Sequence, residues 1–282
     1  MSEISQQKAN ANAFRALHEG AKILLLPNVW DVASARVVEE AGFRAIATSS
    51  AGVAFSLGYP DGQKISRGEM LQAVARIVRA VRVPVTADAE AGYGERPEDA
   101  ALTAAGVIEA GAVGMNFEEA AGEDGLADLT LQLEKIRAVR ETATELNVRL
   151  VLNARTDVYL AQIGEPASRY DETVRRLRAY RDAGADCVFA PGVSDPEIIR
   201  RLVMDVRCPL NILAGPGAPS VPELQRLGVA RVSLGSAPMR ATLGLVRRMA
   251  EELKGAGTYR TLEDAPPHGD VNRMMRARPK PK

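Results

Sequence analysis

The stretch VTADAEAGYG, residues 85–94, holds the densest reactive chemistry in the chain. Asp88 and Glu90 stand two residues apart, so on an extended strand both carboxylates would face the same side. One could then bind a hard divalent ion while the other positions water or fixes the ion's outer shell. Glu118, in NFEE, joins them if its strand lies alongside. Asp88, Glu90 and Glu118 thus form a candidate oxygen-ligand set for Mg2+, with Mn2+ as an alternative, that needs no cysteine or histidine. Asp61, in YPDG, brings a fourth acid. The competing reading is that these acids cap helices or satisfy surface amides.

One cation faces this acidity. Arg155, in NARTD, has a planar fork that can hold a carboxylate through two hydrogen bonds, or form a plain rim pair with a neighbouring acid such as Asp157. ATSSAG, residues 47–52, offers the hydroxyls of Ser49 and Ser50 and the backbone amides through Ala51 as a carboxylate-holding turn, or as a turn that satisfies itself. Asn211 can present an amide to the far end of a ligand or remain a satisfied buried asparagine, and Ser233 lies in a comparable position. Tyr93 and Tyr159 read first as core-edge hydrogen-bonding residues, Trp30 as a packing anchor and Asp31 as a helix cap. Arg137 and Arg140, spaced with Glu134 and Glu141, read as an ordinary solvated helix face.

These residues need a scaffold that gathers strand ends. Apolar runs predict strands at 23–28, 44–50, 83–89, 112–118, 148–157, 186–192, 208–215 and 229–235. Helical spacing follows each: Val32–Ala41, a helix carrying Met70, Val74, Ile77 and Val78, one opening at Pro97, then 129–146, 168–183, 195–204, 221–228 and MRATLGLVRRMAEEL. Strand starts recur about every 30 residues, the size of a βα unit. The pattern predicts a closed (β/α)8 TIM-type barrel over 1–255, including an N-terminal helix, with 256–282 as a C-terminal extension or tail; an open doubly wound sheet is the alternative. In a barrel, residues at the C-terminal ends of strands share one rim, which turns Ser49, Ser50, Asp88, Glu90, Glu118 and Arg155 into one site.

Composition narrows the chemistry. The 36 basic side chains balance 36 acidic ones, which removes the global positive field of a nucleic-acid binder. No apolar run has membrane-spanning length and the first residues lack a secretory signal pattern, so a cytoplasmic location with no membrane partner is expected. Cys187 and Cys208 sit in apolar contexts that suit buried free thiols, and the two histidines, His18 and His268, fall in opposite terminal regions, unsuited to a histidine metal site. There is no phosphate-loop lysine motif or dinucleotide fingerprint, so neither nucleotide nor flavin is expected.

LLLPNVWDVASARVVEEAGFRAIATSSAG, YPDG, ADAEAGYG, NFEE and NARTD, in this order on successive barrel units, jointly resemble the isocitrate lyase/phosphoenolpyruvate mutase superfamily across roughly residues 20–250. The resemblance implies a magnesium-assisted site for a small 2-oxo acid or its enolate, and a homotetramer in which C-terminal helices pack between subunits. By that resemblance Ser49 and the backbone of Ser50 match the carboxylate-binding turn, and Asp61, Asp88, Glu90 and Glu118 the acidic magnesium network. Arg155 matches the ligand-gripping arginine, and Asn211 a residue near the distal carboxylate. Glu90 departs from the aspartate of several relatives.

Missing residues decide the expected reaction. Isocitrate and methylisocitrate lyases carry a loop ending in Cys-Gly-His, whereas here the segment is EEAAGEDGLADLT, residues 118–130, with no cysteine. Phosphonopyruvate-processing relatives place lysine and asparagine in that loop and histidine after strand six; here stand Ala120, Ala121 and Pro191. Decarboxylation of oxaloacetate asks least of what remains, with Asp61, Glu90, Glu118 and Arg155 as the catalytic set. Ser49, Ser50, Ala51, Asp88, Tyr93, Arg155 and Asn211 would line the ligand. The alternatives are a carbon–carbon lyase on another 2-oxo or 2-hydroxy diacid, phosphonopyruvate-type chemistry, and a noncatalytic 2-oxo acid-binding protein.

Overall fold

The computed structural model describes residues 3–119, 121–122 and 125–276. Helix α1 (Glu3–His18) leads into β1 (Leu24–Leu26), β2 (Asn28–Val29), α2 (Val32–Glu40), β3 (Ile46–Thr48), α3 (Ser50–Ser56), α4 (Arg67–Ala80), β4 (Val85–Asp88), α5 (Pro97–Glu109) and β5 (Gly114–Glu118). A hairpin, β6 (Ala121–Gly122) and β7 (Gly125–Leu126), precedes α6 (Leu129–Glu145), β8 (Val151–Arg155), α7 (Arg169–Asp182), β9 (Cys187–Phe189), α8 (Pro196–Val206), β10 (Leu210–Leu213), α9 (Val221–Arg226), β11 (Arg231–Ser233), α10 (Ala237–Gly255) and α11 (His268–Arg276).

The main sheet is parallel throughout and runs β1-β11-β10-β9-β8-β5-β4-β3-β2. Its two ends, β1 and β2, are consecutive in the chain with only Pro27 between them, so the sheet curls round into a nearly closed barrel. Nine segments stand where eight strands were expected because proline has no N–H for a ladder and splits the first strand. Its first half pairs with the last strand (Leu24↔Arg231, Leu26↔Ser233) and its second with β3 (Asn28↔Ala47). Asn28 stitches the seam: its Nδ2 donates to Thr48 O at 2.8 Å, and its Oδ1 accepts from the N–H groups of Leu234 and Gly235 at 2.7 and 2.9 Å.

Local chemistry explains the helices. Ser66 and Glu69 form a capping box on α4, Pro97 opens α5 at a position whose N–H has no partner to lose, and Asp31 and Asp195 cap α2 and α8. Val, Ile, Leu and Ala from the strands and inner helix faces form one large buried cluster. Helix α1 covers the barrel base, with Gln7 Nε2 bonded to Ile108 O and Ala112 O at 2.7 and 3.1 Å and Phe14 fully buried. Gly114 admits that ring, since a Cβ there would lie 2.6 Å from it.

Some expectations change. Arg140 is not a solvated helix residue: its guanidinium bonds Gly184 O, Leu150 O and Asp186, tying α6 to the ends of its neighbours. The short helix α3 replaces an expected loop. Part of the C-terminal extension folds as α11 against α2, where Arg36 donates to Met274 O at 3.0 Å, while residues 277–282 lie outside the described residues. Cys187 is buried and Cys208 half-buried, and both are free thiols. No helix among the described residues is long and apolar enough to cross a membrane.

Candidate active site at the strand ends

Asp88 closes β4, and its Oδ2 accepts from both the N–H and the hydroxyl of Ser50 at 2.9 Å. The strand stops there. Glu90 and Tyr93 have φ of 47° and 57°, and Gly92 has φ of 90°. Asp88 and Glu90 are therefore not alternate residues of one strand, as their spacing suggested; a left-handed turn carries Glu90, and such conformations cost about 1–3 kcal/mol at a non-glycine residue. The surroundings impose the turn. Lys135 Nζ donates to Ala91 O and Gly94 O at 2.7 and 3.0 Å, Arg67 Nη2 to Tyr93 O at 2.8 Å, and Tyr93 N–H to Gln63 Oε1 at 2.6 Å.

Glu90 is buried, 2 % exposed. Its Oε1 accepts from the Tyr93 hydroxyl at 3.0 Å and its Oε2 from the Gln63 N–H at 2.5 Å, so neutral donors are its hydrogen-bond partners. Burial, then the charge of Asp88, push its carboxyl up to about 7, against the pull of those two bonds. The same crowding raises Asp61, first through partial burial of its carboxyl and then through Asp88. The Tyr93 hydroxyl is also raised, by burial and by Glu90.

Across the rim Glu118 and Arg155 pair in register on β5 and β8, and their side chains form an ion pair. Arg155 Nε and Nη2 also grip Asp157 at 2.6 and 2.9 Å, with the Phe189 ring 5.9 Å from the guanidinium. Burial pushes Glu118 up, Arg155 pulls it back, and Asp88, Asp157 and Glu90 add to the rise. Ser49 caps α3, its hydroxyl accepting from Gly52 N–H at 3.2 Å, beside buried Ser50 and Ala51. A Cβ on Gly52 would sit 3.0 Å from the Trp30 Cβ, so Trp30 packs here as expected. Contacts and shared charge thus gather Ser50, Asp61, Asp88, Glu90, Tyr93, Glu118 and Arg155. Asn211 is fully buried and bonded to Ser233 at 3.1 Å, the satisfied alternative.

Three features had no local sequence signal. Glu119 is buried among Thr156, Asp157 N–H, Arg176 and Tyr180, partners 37 to 61 residues further along the chain. Arg231 is fully buried in the barrel, its Nη2 donating to Asn116 Oδ1 at 3.0 Å while Nε and Nη1 have no hydrogen-bond partner among the described residues. Asn116 also accepts from Asn153 Nδ2 at 2.6 Å, so a polar layer crosses the barrel interior among β5, β8 and β11.

Residues 14–254 match the family described as phosphoenolpyruvate phosphomutase. The chain belongs to that family. It lies within the isocitrate lyase/phosphoenolpyruvate mutase superfamily that the motifs resembled. A solved protein of Burkholderia cenocepacia J2315, provisionally assigned as a lyase/mutase, is 41% identical with a TM-score of 0.91, over 97% of this chain and 98% of that one. A 2-methylisocitrate lyase of Bacillus subtilis is 31% identical over 73% of this chain and 67% of its own length. An oxaloacetate decarboxylase of Ectopseudomonas mendocina is 30% identical over 87% and 84%.

The geometry of the acids decides how the site could hold a metal ion. Among the described residues no three His, Cys, Asp or Glu side chains converge as a cage for an ion. Asp88, Glu90 and Glu118 are held apart by Ser50, by Tyr93 with Gln63, and by Arg155 respectively. Yet Asp88 raises Asp61, Glu90 and Glu118 alike, a repulsion that a hard divalent cation would relieve. The donor set fits one hydrated Mg2+ or Mn2+ better than a cage of three direct carboxylates. Ala120 of the 118–130 segment lies outside the described residues, as do positions 123 and 124.

Proposed function

We propose that the chain is a Mg2+-dependent carbon–carbon lyase acting on a small 2-oxo diacid, with decarboxylation of oxaloacetate through an enolate as its reaction. The observation that carries this reading is the gathering of Asp88, Glu90 and Glu118 with Arg155 at the ends of neighbouring strands, where Asp88 adds to the rise of Asp61, Glu90 and Glu118. It is supported by the absence of cysteine from residues 118–130 and by relatives named as an oxaloacetate decarboxylase and a 2-methylisocitrate lyase.

When the distal carboxylate leaves as CO2, its bonding pair stays on the adjacent carbon and delocalises into the 2-oxo group; one proton delivered to that carbon gives pyruvate. A bound Mg2+ would supply positive charge against the developing enolate. Asp88 would hold the ion, with Glu90 and Glu118 ordering its water. Ser49 and the Ala51 N–H would hold the retained carboxylate together with Arg155, whose guanidinium is already fixed by Asp157, and Ser50 would join them by releasing its bonds to Asp88. Burial, which a cation on Asp88 would leave in place, is the first cause of the raised Glu90 carboxyl; bonded to the Tyr93 hydroxyl, that carboxyl is suited to protonate the enolate. Asp61 adds a second raised acid at the same rim. Asn211 would reach the ligand only by exchanging its bond to Ser233.

The raised carboxyl of Glu90 also favours a second reading, in which it is the base of a lyase cleaving a 2-hydroxy diacid. The assembly we propose is a homotetramer, with exposed Leu243, Val246 and Leu253 of α10 covered by a neighbouring copy. The test is purified protein with Mg2+ and oxaloacetate, corrected for metal-only decay. Pyruvate formation proportional to protein and abolished by EDTA is the expected result. Cleavage of 2,3-dimethylmalate, a 2-hydroxy diacid, instead would favour the second reading, and binding of a 2-oxo diacid without turnover of either would overturn both.

A further inference from the structure

Glu119 is a buried carboxylate, 1 % exposed, on the residue after Glu118. Its backbone N–H donates to Arg155 O at 3.4 Å, its Oε1 accepts from Thr156 Oγ1 at 2.5 Å and from Asp157 N–H at 3.1 Å, so one residue grips three consecutive positions. Asp157 in turn holds Arg155 through two hydrogen bonds. On the other side, Glu119 Oε2 accepts from Arg176 Nη1 and from the Tyr180 hydroxyl, both at 2.5 Å. The same Arg176 Nη1 donates to Ala127 O at 3.2 Å, and Arg176 Nε to Glu172 Oε1 at 2.6 Å. A single guanidinium from α7 therefore joins Glu119, two residues before β6, to Ala127, directly after β7.

We propose that Glu119, paired with Arg176, is a positioning residue that sets the Arg155 guanidinium for carboxylate binding and fixes the base of the β6–β7 hairpin to it. The proposal rests on the oxo-acid reading above, which makes Arg155 the ligand-gripping cation. The physical argument is economy of placement. Removing a carboxylate and a guanidinium from water costs several kcal/mol, and apolar residues of similar volume commonly stabilise a core at least as well. What an apolar pair could not do is donate and accept along 155–157 at fixed directions. Arg155 carries its own acids, Glu118 and Asp157, and a shift of the 155–157 backbone would turn its fork away from the Ser50 side of the rim.

Glu119→Gln keeps the shape of the side chain but leaves it unable to accept on both oxygens. We expect amide hydrogen exchange at Asp157 to quicken about tenfold, and the Kd of oxalate in the presence of Mg2+ to rise about tenfold by calorimetry. Tyr180→Phe removes one hydrogen bond while keeping the Arg176 pair, and is expected to stay within about twofold of the wild type in both readouts, whatever its Tm. Should Glu119→Gln not fold, Arg176→Lys, which loses the forked geometry, carries the same comparison. Wild-type exchange at Asp157 with wild-type oxalate affinity would overturn the proposal, as would Tyr180→Phe matching Glu119→Gln in both. If the wild type itself ignores oxalate, the oxo-acid reading falls, while exchange at Asp157 still decides whether Glu119 positions that segment.

Discussion

Glu90 and Glu119 are both buried glutamates at the ends of neighbouring strands, 2 % and 1 % exposed, and they are solved in opposite ways. Glu119 meets a guanidinium, a phenol, a hydroxyl and a backbone N–H. Glu90 meets a phenol and a backbone N–H while facing Asp88, and its carboxyl rises to about 7. Depth of burial is nearly equal, so burial does not tell scaffold from chemistry. Compensation does: the fully matched carboxylate holds backbone, and the carboxylate left short of positive charge is the one with a proton to trade near neutrality.

The largest break of that contrast is expected from Glu119→Ala, which takes the carboxylate from buried Arg176 Nη1 and the Tyr180 hydroxyl and should cost about 3–5 kcal/mol in urea unfolding. Glu90→Gln should cost no more than about 1 kcal/mol under the same conditions, since a neutral amide suits its surroundings. Equal losses would end the comparison. Next comes Gly92→Ala. At φ of 90°, with an added Cβ 2.9 Å from the Phe117 ring, it should lose about 1–3 kcal/mol and loosen the turn that carries Glu90.

A smaller effect lies in pH. Because the folded Glu90 carboxyl titrates at about 7, above its ordinary 4.5, the native state holds that proton more tightly than the unfolded chain. Its contribution turns unfavourable as pH rises through that window, so the stability of Glu90→Gln relative to wild type should climb between about 4.5 and 7 and then level off. A flat difference would mean that Glu90 is compensated after all. A shift of similar size and opposite direction concerns His18 at the barrel base, whose imidazole is lowered to about 4 by burial and then by Arg231. Here the unfolded chain takes the proton first, so stability is lost as pH falls from about 6.5 to 4, and His18→Gln should flatten that slope.

Much of this was legible from residues. Apolar runs and helical spacing located the barrel strands and the helices between them except the short α3, because parallel strands buried on both faces must be written in Val, Ile, Leu and Ala. Asp88, Glu118 and Arg155 were legible as strand-end residues, whereas Asp61 lies in the loop before α4 and Glu90 in a turn beyond β4. Pro27 splitting the first strand was visible as a proline, but its role in closing the sheet depends on Asn28 meeting the chain beyond the last strand, at Leu234 and Gly235. Glu119 was overshadowed by Glu118, since its partners on α7 lie 57 and 61 residues further along the chain. The left-handed turn at Glu90 was hidden because Lys135, Arg67 and Gln63 impose it from elsewhere in the chain. Sequence periodicity shows which face a residue takes, whereas partners across the fold decide whether its charge is matched.

The most direct test of the account sets wild type and Glu90→Gln side by side in metal-corrected pyruvate formation from oxaloacetate with Mg2+, each shown to be folded. The account predicts turnover by the wild type and a loss of about 100-fold or more in kcat for Glu90→Gln, within the range for removing a general acid. Pyruvate formation at the wild-type rate by Glu90→Gln, or none above the metal background by either protein, would contradict it.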